Sequence, residues 1–268
     1  MCFGCLEKTA KLRSTDKRVV ADSKDDPMFI PVYDSNTLRS IRWQYVTFGL
    51  ILVNVAVFAF QSSGIDQRVV ASFGIVPAEL FGVRIFGGAA RGVNDALAVP
   101  EGYTLFSYMF FHGDFWHITG NMLFLWVFGD NVEDAMGHWR FLAFYLCCGM
   151  FAALFHAVML ASSGAPLIGA SGAVAGVIAA YVMLYPKVMV WVLAFRVIPL
   201  HIPALWAIGA WAGTQLVMAF LPSVGPVAWW AHIGGLLAGA VLVVFLRRPG
   251  VPLFQRQPVI VIPDAPVA

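Results

Sequence analysis

The hydrophobic positions of this chain fall into long uninterrupted runs, not into the one-sided stripes of soluble helices or the alternation of half-buried strands. Six runs stand out, at residues 43–61, 115–132, 141–161, 171–185, 202–221 and 227–246. A helix needs about 20 apolar residues to cross roughly 30 Å of hydrocarbon, and each run predicts a spanning helix, the fourth being the shortest. A seventh stretch, residues 188–200, is short and carries Arg196, so it predicts an interfacial segment. Residues 62–113 mix short apolar pieces, such as 103–111, with the Gly87–Gly88 pair and Pro100, which predicts a long loop lying partly in the interface. The expected fold class is all-α, a polytopic membrane bundle of six helices. It comprises residues 43–246, between a mobile cytosolic tail at 1–42 and a Pro-rich, unstructured tail at 247–268.

Composition agrees. The chain of 268 residues is 60% hydrophobic and 12% charged, with a mean hydropathy of +0.77, whereas a soluble domain carries about a quarter charged residues. Disorder, fibrous repeats and most soluble enzymes are excluded. A net charge of +2 is too small to argue for a nucleic-acid partner. Cys2, Cys5, Cys147 and Cys148 do not make a disulfide framework in such a chain, and one Cys-x-x-Cys is at best half a zinc site, so a reduced, incidental pair and no metal site are expected. Residues 1–42 carry many charges and no apolar core segment, so no signal peptide is expected there. The basic residues set the orientation: fourteen lie in the tails and the loops after spans two and four, against Arg68, Arg84 and Arg91 on the other side. By the positive-inside rule both termini are cytoplasmic.

Polar residues at membrane depth are costly, and each is a functional candidate. Acids are almost absent from the spans. Asp130 and Glu133 lie near the cytoplasmic end of span two, Glu133 being expected to pair with a cation there. There is no His-Glu-x-x-His and no intramembrane aspartate pair. Serine, histidine and asparagine remain. Span two opens with His117 and Asn121 on one helical face, span four with Gly169-Ala-Ser171-Gly172, and span six with Ala231-His232-Ile-Gly-Gly235 followed by Gly239. Spans two, four and six share one direction. His232 then lies roughly 8 Å below the outer surface, and Ser171, on a helix of about 21 Å, roughly 9 Å below it. The faces Gly172/Gly176 and Gly235/Gly239 allow close backbone approach. A serine hydroxyl next to an imidazole base is an activated nucleophile. The Ser171 N–H, the Asn121 amide and the His117 ring are candidate donors to an oxyanion. No acid is placed to orient His232, which makes a dyad. Asn54 and Gln215 read as interhelical hydrogen-bonders, His156 and His201 as structural, and His138 as a solvated loop residue.

These residues resemble the rhomboid family of intramembrane serine proteases. His112…His117-x-x-x-Asn121-Met122, with Phe128-Gly129 and Glu133, looks like the family's second-helix motif; Gly169-x-Ser171-Gly172 its nucleophile motif; and Ala231-His232-x-x-Gly235-x-x-x-Gly239 its histidine motif. The resemblance covers roughly residues 30–246. It implies a rhomboid-like six-helix bundle, with Ser171 as nucleophile, His232 as base, and an oxyanion hole of His117, Asn121 and Ser171. Span five, with Gln215, would be a substrate gate; His112 is read as supporting the loop over the site, shuttling water, or an interfacial histidine without function. It implies no cofactor, and transmembrane protein substrates cut after a small residue near the top of their helix. Two departures stand out. The first long loop lacks the Trp-Arg pair of some members, Trp139-Arg140 lying on the other side. Ala175 stands where some members stack a tyrosine under the histidine, so other packing must hold His232. The site is expected to be a water-filled cavity open to the outside, capped by residues 222–226. A client-binding, non-catalytic relative is the main alternative, although such relatives generally lack the serine or the histidine. A small-solute transporter has neither repeats nor midplane acids to support it. A bacterial inner membrane is the default compartment, the charged N-tail fitting a transit peptide poorly.

Overall fold

The computed structural model describes residues 29–82, 96–194, 197–221 and 227–255. In chain order these form β1 (Phe29–Asp34), α1 (Tyr45–Gln61), α2 (Gln67–Ala71), α3 (Pro77–Gly82) and α4 (Glu101–Ser107). A 3₁₀ turn at Tyr108–Phe110 follows, then α5 (Phe115–Met136), α6 (His138–Met159), α7 (Ser171–Leu184), β2 (Met189–Ala194), β3 (Ile198–Pro203), α8 (Ala204–Ala219) and α9 (Trp229–Leu246). Each of the six apolar runs becomes a helix, displaced at its ends by a few residues. Of these, α6 and α9 are long and apolar enough to cross a membrane by length and composition; α1, α7 and α8 are apolar but shorter.

Helix α7 is the axis of the bundle. Every residue from Gly172 to Tyr181 is buried, as expected for a helix that is apolar on all sides. It packs against α5, α6 and α9. Around it lie Leu125 and Phe128 of α5 and Phe141, Phe144 and Tyr145 of α6, all buried. Phe128 meets Tyr181 with ring centroids 4.7 Å apart.

The C-terminal turn of α5 holds two acids that organise the chain before and within α1. Glu133 accepts from Val46 N (3.0 Å), Thr47 N (2.8 Å) and Thr47 Oγ1 (2.7 Å), satisfying donors that the start of α1 leaves free. Asp134 accepts from the backbone N–H groups of Arg39 (2.9 Å), Ser40 (2.7 Å) and Ile41 (2.7 Å). Glu133 also hydrogen-bonds His138, so besides Val46 and Thr47 its partner is a histidine that begins α6 and is not a solvated loop residue. The Asn54 amide donates to Leu50 O in its own helix (2.8 Å), and its side chain also interacts with Tyr145 of α6.

Two local expectations are corrected by a small sheet. The fold is mostly helical, as expected of a membrane bundle, with this sheet added to it. Residues 188–200 contain most of a β-hairpin in place of an unpaired interfacial segment, with Trp191 opposite His201. Residues 29–34, placed within a mobile tail, form a third strand antiparallel to β2, with Tyr33 opposite Trp191; residues 1–28 lie outside the described residues. Proline explains the order β1-β2-β3. Pro31, Pro199 and Pro203 sit in the two outer strands, where a missing N–H is tolerated, while the central β2 has none. Asp34 ties the strand to the bundle, accepting from Tyr181 Oη at 2.6 Å and Asn131 Nδ2 at 3.0 Å.

The described parts of the segment 62–113 likewise carry more structure than a mixed loop. Ile75 and Leu167 exchange backbone hydrogen bonds of 3.0 and 2.7 Å, and Ile75, Leu80, Tyr108 and Met109 are fully buried. Pro100 precedes α4 as its N-cap residue, and Gly87–Gly88 fall outside the described residues.

Candidate active site

The site begins at the seam between α7 and α9. A Cβ added at Gly235 would overlap the Gly172 carbonyl, and one at Gly239 would overlap the Gly176 carbonyl. The two backbones therefore touch, as the small-residue faces predict. A Cβ at Gly172 would in turn stand 3.6 Å from Ala231 O. Ser171 precedes Gly172 as the first residue of α7, and His232 follows Ala231 in the first turn of α9. The serine and the histidine thus occupy adjoining first turns of two helices in backbone contact, both half-buried.

The turn before Ser171 is fixed from three directions. Gly169 has φ of +123°, a region that glycine alone enters without strain. Its N–H donates to Tyr108 O at 2.9 Å. A Cβ there would lie 2.6 Å from Cε1 of His117, so glycine also makes room for the imidazole. Ala170 N donates to His112 Nε2 at 3.4 Å. His112 is fully buried; burial, with His117 beside it, pushes its imidazole down to about 3, so it stays neutral and can accept. Gln61 holds His112 in place, donating from Nε2 to its carbonyl and accepting from its N–H at 3.3 Å.

His117 and Asn121 come from the first two turns of α5. Asp114 caps that helix by accepting from Trp116 N (2.7 Å) and His117 N (2.8 Å). The His117 ring meets His112 edge-on at 5.2 Å. Its Nδ1 accepts from Gly113 N at 3.4 Å, which leaves the proton on Nε2, a donor on the side of the Gly169 turn. Asn121 is 7% exposed and its Nδ2 has no hydrogen-bond partner among the described residues. A buried amide donor in that condition requires an explanation.

The ring of His232 answers the question posed by Ala175. Trp211 of α8 lies 5.9 Å away, tilted by 32°, and Trp229 meets it at 90° and 6.3 Å. Its Nδ1 lies 2.6 Å from Gln215 Oε1, the interhelical bond expected of that glutamine. Sequence reasoning did not give Gln61, Tyr108 or Asp114 a part in the site. Only Asp114, an N-cap residue type directly before an apolar run, carried a signal. Among the described residues no group of His, Cys, Asp or Glu is placed to hold a metal ion. Cys147 and Cys148 are unpaired, Cys2 and Cys5 lie outside the described residues, and so does the expected cap at 222–226.

Similarity to known proteins extends over the segment that carries these residues. The rhomboid domain pattern matches residues 99–249. The chain is 31% identical over 137 residues to Rhomboid protein 1, mitochondrial, of Saccharomyces cerevisiae, covering 49% of this chain and 38% of that protein. It is 32% identical over 155 residues to Rhomboid-like protein 11, chloroplastic, of Arabidopsis thaliana, covering 56% and 54%. To the Rhomboid protease AarA of Providencia stuartii it is 31% identical over 161 residues, covering 54% and 52%. The chain thus spans about half the length, or less, of these relatives. They include mitochondrial, chloroplast and bacterial proteins, so the default of a bacterial inner membrane gains no support.

Proposed function

This chain belongs to the rhomboid family of membrane-integral proteins, and we propose that it is an intramembrane serine endopeptidase. The observation that carries the reading is the glycine seam of α7 and α9, which brings the turn of Ser171 against the turn of His232. In the proposed reaction His232 Nε2 takes the Ser171 Oγ proton as Oγ attacks the substrate carbonyl carbon. The tetrahedral oxyanion is held by the Ser171 N–H, the Asn121 amide and His117 Nε2–H. The intermediate collapses, the C–N bond breaks, and His232 returns the proton to the departing amine. Water then attacks the acyl-serine with the same base, releasing the acid and restoring the hydroxyl. The unpartnered Nδ2 of Asn121 supports the oxyanion role, since an oxyanion supplies the acceptor that the fold withholds. The relative named a protease supports the activity.

The substrates are transmembrane helices cut near their outer end, and six helices span the membrane with both termini on the cytoplasmic side. His112 supports the Ser171 turn, and Gly169, Gly172, Gly235 and Gly239 provide the close approach. A substrate helix must unwind to expose its carbonyl, so helix-breaking glycine or proline near the cut favours cleavage. The test uses the purified chain in liposomes with single-span substrates whose upper segment is either Gly-containing or all-Leu. Cleavage of the first, lost in Ser171→Ala, is expected. Equal cleavage of both would remove the unwinding requirement, and binding without cleavage by the wild type would mark a client-binding protein.

A further inference from the structure

We propose that Gln215 of α8 is a positioning residue that fixes the tautomer of His232; the inference rests on the protease reading above. Gln215 is buried at 4% exposure, an uncommon placement for a side chain with a polar amide on a mostly apolar helix. Its amide has one acceptor oxygen and one donor nitrogen, and the two are separately engaged. Nε2 donates to Trp211 O, one turn back on the same helix, at 3.3 Å. Oε1 therefore faces His232 Nδ1, at 2.6 Å. A carbonyl oxygen only accepts, so Nδ1 carries the proton, and a neutral imidazole then keeps its lone pair on Nε2. That is the nitrogen a base needs for the Ser171 hydroxyl. The opposite amide orientation would break the bond to Trp211 O and force the proton onto Nε2, where the ring could not accept another.

The glutamine thus selects the tautomer, as a carboxylate does in a serine triad, without placing a charge in the apolar bundle. Among the described residues the titratable groups that act on His232 are His117 of α5 and His156 of α6, and neither is a carboxylate. A carboxylate at 215 would keep the acceptor while adding attraction to the imidazolium.

The experiment measures the rate of Ser171 modification by a fluorophosphonate probe against pH, in detergent, with thermal melting of each variant. Gln215→Met keeps the volume and removes the acceptor; labelling is expected to slow about 10-fold to 100-fold, less than the roughly 10⁴-fold loss seen when a triad side chain imposes the wrong tautomer. Gln215→Glu is expected to label at a rate near the wild type at neutral pH, with the acidic limb of its profile displaced upward by about one pH unit. A role in packing alone would lower melting temperature and leave that limb in place. Wild-type rates and an unmoved limb in both variants would overturn the positioning role while the protease reading stands. If the Met variant does not fold, the limb in the Glu variant decides. Absence of labelling in the folded wild type would instead overturn the protease reading itself.

Discussion

Asn121 and the seam glycines make opposite demands on the fold, and their substitutions should separate accordingly. Asn121→Ala removes a buried donor that no group among the described residues uses. Proteolysis is expected to fall by roughly 10²–10³-fold in kcat while the melting temperature holds or rises, because no intramolecular hydrogen bond is lost. A large drop in melting temperature would show that the amide is structural. Gly235→Ala does the reverse. Its methyl would overlap the Gly172 carbonyl, a backbone atom that cannot swing away, and overpacking of this kind costs about 1–3 kcal/mol. Melting temperature and activity should fall together. Gly213→Ala, on α8 with nothing near its Cβ, is the control and should be neutral or slightly stabilising. At Gly169 the φ of +123° and the nearness of His117 predict loss of activity on substitution by alanine, read as a drop in fluorophosphonate labelling.

At the level of elements, β1 is held to the bundle by a group that titrates. Burial, with the Asp130 carboxylate nearby, raises Asp34 from its ordinary 3.8 to about 7, against the opposing hydrogen bond from Tyr181. The folded chain therefore keeps this proton between about pH 4 and 7, where the unfolded chain has released it. The resulting stabilisation is full below pH 4 and is lost as pH rises through about 7. Asp34→Asn retains an oxygen for Tyr181 and Asn131 and removes the titration, so it should melt higher than the wild type at pH 8 and close to it at pH 4.5. Equal pH dependence in the two would refute the assignment. Asp134→Ala should cost about 2–3 kcal/mol by stranding three backbone donors before α1, measured as a shift in denaturation midpoint.

The helices were legible because their apolar runs are long; the sheet was not, for a physical reason. The sequence Met-Val-Trp-Val-Leu-Ala of β2 alternates in burial, but its outward residues are apolar as well, so no alternation of polarity marks it. β1 is short, carries Pro31 and finds its partner far along the chain. Ser171, His232, His117 and Asn121 were legible as motifs, each a polar residue at a helix start flanked by glycines or histidine. The roles of Gln61 and Gln215 were not, because a lone amide in an apolar helix does not name its acceptor or donor. Only the folded arrangement pairs Gln61 with His112 and Gln215 with His232.

Over the whole molecule, three helices starting on one side of the bundle deliver the candidate chemistry, and the opposite end is tied by the sheet and by Glu133 and Asp134. Polar atoms are grouped where α5, α7 and α9 begin. The central claim is that Ser171 is an activated nucleophile there. The most direct measurement treats the folded wild type, Ser171→Ala and His232→Ala with a fluorophosphonate and maps the adduct by mass spectrometry. The expected result is one adduct, on Ser171, present in the wild type and absent from both variants. An unmodified Ser171 in the folded wild type, or labelling there that survives the loss of His232, would contradict the account.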